Sequence, residues 1–201
     1  MQQSTTILSH IYMLSTVVVL LLTASVSCGI SETVKTRIND YLSDPKPDAT
    51  KLRSVLESGS MNGHFTSDEV YSLFSYLQEK YPEIATKEVI GSTYLGADIL
   101  MFRLKKPAKD NSEIVKSKML FTGNHHAREL LTVTICLKIF IESIHSLVHQ
   151  TQNSGFWTFN DLLIVPIINL DSHTLISESF GTSDWDEIKY KRKNMNEEYC
   201  P

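Results

Sequence analysis

Between residues 118 and 169 the chain spells out a strand, a helix and a second strand, and this order restricts the possible folds more than any other feature. Met119-Leu120-Phe121 is a short apolar run of the kind that forms a buried strand, and Thr122-Gly123-Asn124 ends it. A helical pattern then runs from about Arg128 to His149. Its middle, Val133 to Ile144, is apolar nearly all round, while Lys138, Glu142, His145 and His149 fall on one stripe. Such a helix is expected to lie against a sheet with one narrow face wet. Asp161 to Asn169, DLLIVPIIN, is a further near-continuous apolar run, as parallel strands covered on both faces tend to be. Two strands joined by a helix make a βαβ unit, so an α/β sheet is predicted.

The flanking sequence is consistent with this. Thr66-Ser67-Asp68-Glu69 has the form of a capping box, and Val70, Leu73, Phe74, Leu77 and Tyr81 share a helical face that Pro82 terminates. Glu88 to Ile90 and Asp98 to Leu104 are strand-like, separated by Tyr94-Leu95-Gly96-Ala97, which predicts a hairpin. Lys105 to Lys116 reads as a polar loop. Residues 29–61 mix Ser, Asp, Pro and Lys around Asp44-Pro45-Lys46-Pro47-Asp48 with little apolar periodicity. They are expected to form a linker or short pro-segment with at most one helix, near Ala49 to Ser58. Residues 1–28 look like targeting sequence: Ile11 to Leu22 is apolar and Ala24-Ser25-Val26-Ser27 offers small residues for cleavage. A cleaved signal peptide, and hence secretion, is the expectation, with a retained anchor as the alternative. Cys28, Cys136 and Cys200 do not make a disulfide framework in a chain of 201 residues, and Cys136 fits a small core hydrophobe. With 19 basic against 23 acidic side chains there is no positive excess to neutralise phosphates, so nucleic acid is not expected as a partner.

The reactive residue types gather at the junction between the first strand and the helix. His126 and Glu129 stand three residues apart, and an imidazole and a carboxylate at that spacing can both reach one divalent cation such as zinc. The junction at the carboxyl end of a strand is also where open α/β folds bind ligands. Taken bare, this spacing is common enough to arise by chance, so its neighbours matter.

The stretch Gly123-Asn124-His125-His126-Ala127-Arg128-Glu129 resembles the metal-binding segment of the zinc carboxypeptidases, the carboxypeptidase A-like peptidases, in which a glycine-ended strand leads into His-x-Arg-Glu. That resemblance implies His126 and Glu129 as zinc ligands and Arg128 as a substrate-binding residue. His125 does not carry over, because Arg128 stands three residues after it. The segment from His64 to Leu104 is similar to the family's opening helix and hairpin, including the turn at Gly91, Ser92 and Gly96. DLLIVPIINLDS is similar to a strand that ends in Asn-Pro-Asp-Gly, with Leu170 and Ser172 replacing Pro and Gly in what reads as a turn. KYKRKNMN resembles a Trp-Arg-Lys-Asn-Arg segment, with Lys191 and Met195 in place of Trp and the last Arg. Arg192 then matches the arginine that polarises the scissile carbonyl. The alternative for both arginines is an ordinary surface ion pair.

The resemblance covers residues 62–201. It implies a mixed, largely parallel sheet with helices on both faces, incomplete at the C-terminus. The family's third zinc ligand, its general base and the disulfide partner of Cys200 would lie beyond Pro201, so the chain is expected to be the amino-terminal part of an enzyme. His173 lacks a spacing argument as a substitute third ligand. The implied function is that of a secreted metallocarboxypeptidase that takes peptide C-termini as substrate, uses zinc, acts as a monomer and has no stable membrane association. Two alternatives remain. One is a non-catalytic binding protein on the same scaffold; the other is a zinc amidohydrolase of the aspartoacylase kind, whose usual Gly-x-His-Gly-Asn-Glu motif fits poorly with Ala127-Arg128.

Overall fold

The computed structural model describes residues 29–107, 116–150 and 154–196. The central sheet has the order β1-β2-β4-β3, with β1 Ala85–Ser92, β2 Asp98–Leu104, β3 Ser117–Thr122 and β4 Asn160–Val165. The expected hairpin is β1–β2. The expected crossover is β3, then a long helix Leu130–His149, then β4 parallel to β3. The sheet is mixed, as anticipated. Among the described strands only the β3–β4 pairing is parallel, because the tight turn between β1 and β2 forces that pair antiparallel and β4 meets β2 antiparallel.

One face of the sheet is built from cross-strand apolar pairs, Phe102 against Ile164 and Leu104 against Leu162. The capping-box helix Ser67–Lys80 packs here, with Phe74 stacked on Phe140 of the crossover helix at 4.3 Å and tilted against Phe102 at 4.8 Å. All three rings are fully buried, and together they are the centre of the core. The box itself forms in full: Thr66 Oγ1 accepts from Glu69 N, and Glu69 Oε2 accepts from Thr66 N at 2.9 Å. The opposite face of the sheet carries Leu120, 59% exposed, and an Arg103–Asp161 ion pair. A second helical layer over that face is not seen among the described residues.

Residues 29–61 depart from the sequence expectation. They hold two helices, α1 (Glu32–Ser43) and α2 (Ala49–Leu56), each N-capped by a side chain, Ser31 and Asp48. Ile30, Val34, Ile38, Tyr41 and Leu42 of the first helix region, with Leu52 and Val55 of the second, join the main core. The remaining helices are, in chain order, α3 (Ser67–Lys80), α4 (Leu130–His149), α5 (Ser154–Phe159), α6 (Leu170–Ser179) and α7 (Trp185–Ile188). The supposed wet stripe of α4 is corrected by the same segment. Lys138 and Glu142 reach solvent as an ion pair, but His145 Nε2 lies 2.8 Å from Asp44 O and His149 Nε2 lies 2.8 Å from Leu42 O. A carbonyl only accepts, so both rings donate, and they satisfy backbone groups left open at the C-terminal end of α1. The targeting stretch 1–28, with Cys28, and also Cys200 lie outside the described residues.

His173, read from sequence as part of a turn, lies in α6 and is fully buried. Its Nδ1 is 2.9 Å from Ser67 Oγ at the start of α3, and its Nε2 has no hydrogen-bond partner among the described residues. Burial pushes its pKa down from 6.5 to about 4, because a charged ring there would lose its hydration.

Two outcomes follow from this packing. Ile38→Ala removes a fully buried side chain. It should lower the unfolding free energy by about 2 to 5 kcal/mol in urea titration, where a solvated linker would lose no more than about 0.5 kcal/mol. For His173, folded and unfolded rings are both neutral above 6.5. As pH falls from there to about 4 the unfolded chain takes up the proton first, so stability falls with pH, by about 3 kcal/mol in full. In His173→Asn that share of the acid-side loss should vanish, and the urea midpoint should change less over the same pH range than in the parent chain.

Candidate metal centre

The loop 123–129 joins β3 to α4, and its course is set by small and polar residues. Gly123 donates to Val165 O at 2.9 Å. A Cβ at Gly123 would stand 2.6 Å from Pro166 O and 2.9 Å from Cys136 Sγ, so only glycine lets the loop pass so close to β4 and α4. Asn124 follows in the left-handed region, φ 52°, and is fully buried. Its amide donates to Thr132 Oγ1 at 2.9 Å, and its Nδ2 donates to Ala127 O at 3.0 Å and His126 O at 3.3 Å. An asparagine tolerates this backbone better than most residues because its short side chain can satisfy the turn it creates. The loop therefore curls around the Asn124 side chain, and the next residues face outward.

His126 and Glu129 meet on that outer side. His126 Nδ1 is 2.8 Å from Glu129 Oε1, and the two side chains are 35% and 45% exposed. Glu129 occupies the N-cap position of α4 yet makes no side-chain cap bond, so its carboxylate is turned to the imidazole and not to the helix amides. His125 points elsewhere: its Nε2 lies 2.8 Å from Thr122 Oγ1, so the two adjacent histidines do not form a joint site. Arg128 is exposed between the pair.

Arg192 comes to the same loop through its main chain. Its carbonyl accepts from Ala127 N at 3.3 Å and from Asn169 Nδ2 at 3.2 Å, and Ser172 Oγ donates to Lys193 O at 2.8 Å. Residues 170 and 172, expected in a turn, instead begin α6, and Ser172 is one of the groups that hold this segment. His173 lies apart from the pair, against Ser67. Among the described residues no group of three or more His, Cys, Asp or Glu could hold a metal ion. The donor set fits zinc in kind, one imidazole nitrogen and one carboxylate oxygen close enough to share an ion, but supplies two of the three protein ligands a catalytic site uses. Sequence reasoning missed Asn124, Thr132, Asn169 and Ser172. The break at Thr122-Gly123-Asn124 and the Asn that closes the apolar run at 169 were the available signals.

Comparison with known proteins bears on this geometry. A family model described as zinc carboxypeptidase matches residues 70–200. Carboxypeptidase O of Bos taurus is 23% identical over 120 residues, 60% of this chain and 31% of that protein. An inactive metallocarboxypeptidase of Saccharomyces cerevisiae is 22% identical over 135 residues, 67% of this chain and 29% of that protein. The chain thus spans less than a third of the length of either relative. In fold it is similar to thrombin activatable fibrinolysis inhibitor, with a TM-score of 0.56 at 19% identity over 80% of this chain and 36% of that one. Carboxypeptidase A from Helicoverpa armigera gives a TM-score of 0.50 at 21% identity over 81% and 36%. With the βαβ unit, the loop at its strand end and a family match over well more than half its residues, the chain belongs to the zinc carboxypeptidase family.

Proposed function

We propose that this chain is the part of a secreted metallocarboxypeptidase that carries the first two zinc ligands, His126 and Glu129, together with Arg192 and Arg128 for the substrate. The observation that carries this reading is the 2.8 Å approach of His126 Nδ1 to Glu129 Oε1 on the loop to which the Arg192 carbonyl is bonded. Zinc bound there would act as a Lewis acid and lower the pKa of its water to about 7. The chain's own residues then have separable tasks. His126 in its neutral form offers Nδ1, and Glu129 offers an oxygen held at the first turn of α4. Arg192 supplies a cation for the oxygen that becomes negative as a peptide carbonyl is attacked. Arg128 presents a planar fork suited to the carboxylate of a peptide C-terminus.

A second reading has its own support. Two candidate ligands are found among the described residues, and one relative is named as an inactive metallocarboxypeptidase, so a non-catalytic binding protein on this scaffold is the second reading. Zinc affinity and hydrolysis separate the two layers of the claim. By isothermal titration the chain should bind zinc weakly, and His126→Ala or Glu129→Gln should weaken it further by at least about tenfold. Hydrolysis of a peptide with a C-terminal aromatic or aliphatic residue should be undetectable with the chain alone. Chelator-sensitive release of that residue would overturn the view that two ligands are insufficient, and zinc binding unchanged in both variants would overturn the ligand assignment.

A further inference from the structure

The structure assigns to Asn169 a role in placing Arg192: we propose that it is a positioning residue that ties the Arg192 main chain to the loop bearing His126 and Glu129. The inference rests on the reading of Arg192 as the substrate-facing cation and adds what holds it there. Residues 191–196 have no helix or strand of their own, so side chains and neighbouring amides must fix them. Asn169 is 7% exposed and stands at the N-cap of α6, a position where an asparagine ordinarily accepts from the helix amides. It makes no such bond. Its Nδ2 instead faces two carbonyls, Arg192 O at 3.2 Å and His125 O at 3.4 Å, and its own amide donates to Asn124 O at 3.0 Å. The orientation of the amide group is chemically determined, since turning it over would set Oδ1 against two carbonyl oxygens that can only accept.

One buried amide therefore bridges three pieces of chain: the loop after β3, the start of α6, and the segment of Arg192. The N-cap of α4 shows the same departure, for Glu129 also forgoes its cap bond and turns to His126. At neighbouring strand ends, two helix starts have given their capping side chains to the same small region. Ser172 supports the arrangement through Lys193 O, but it does not reach Arg192 itself.

The test compares the chain with Asn169→Ala and Asn169→Asp, the latter nearly isosteric but lacking the donors, by NMR. Without metal, exchange of the Ala127 amide, which donates to Arg192 O, should quicken at least tenfold while amides around Phe74 and Phe140 keep their protection. With Co2+ added as a probe of the His126–Glu129 pair, the paramagnetic shift of the Arg192 Nε–H should drop by more than half in the variants, while those of Leu130 and Thr132 persist. Asn169→Gln, which keeps both donors, should restore part of each signal, and it carries the comparison if the other variants do not fold. The proposal is overturned if exchange quickens only in Leu170 to His173, as loss of a simple helix cap would cause, or if Ala127 and Arg192 are unmoved. Absence of any Co2+ effect near residue 126 in the parent chain would instead defeat the metal reading, and the metal-free exchange would still decide the role of Asn169.

Discussion

The arrangement at the sheet edge depends on the hydrogen bonds that Asn124 makes inside its own loop. Asn124 is buried at positive φ, and its amide and Nδ2 bond Thr132, His126 and Ala127 at once, while its Oδ1 has no hydrogen-bond partner among the described residues. With the loop wound this way, residues 126 and 129 come out on one side, one helical turn before the apolar body of α4 begins. The imidazole and carboxylate are then held by a rigid scaffold: the loop is locked by bonds to β4 and α4, and α4 is locked by its aromatic contacts with Phe74 and Phe102.

Stability is spent at this edge in a recognisable pattern. An N-cap side chain contributes about 1 kcal/mol when it bonds the first helix amides. Ser31, Asp48 and Thr66, on helices remote from the loop, all make that bond. Glu129 and Asn169, on the helices that leave the loop region, do not. Asp184, ahead of the four-residue α7, makes none either, so a missing cap bond is not itself a mark of the loop; what is particular there is that the freed side chains turn to His126 and to the Arg192 carbonyl. The pair is partly exposed while its support is buried, and the hydrogen bonds of Asn124, Asn169 and Ser172 are stronger for being away from competing water.

Much of this was legible in the sequence because it is local. The capping box at Thr66, the strand at Met119 to Phe121, the α4 periodicity and the apolar run from Asp161 are short-range patterns, and each became the expected element. The two N-terminal helices were hidden. Their buried residues, Val34, Ile38, Leu42, Leu52 and Val55, are thinly spread among charged ones, and Pro45 and Pro47 sit between them as a tight connector. The polar stripe of α4 was misread for the same reason, since His145 and His149 find their partners in carbonyls of a segment a hundred residues away. Near the loop, the His126 and Glu129 spacing was readable from side-chain chemistry. The tie to residue 192 was not, because its acceptor is a main-chain carbonyl, a group every residue has.

The central claim is that one imidazole and one carboxylate, held by the Asn124 loop, close on a single divalent ion. Crystals of the chain soaked in zinc, with diffraction recorded on both sides of the zinc absorption edge, test it directly. The account predicts an anomalous peak within bonding distance of both His126 Nδ1 and a Glu129 oxygen. A peak at His145 and His149 or at His173, with none at residue 126, would contradict it.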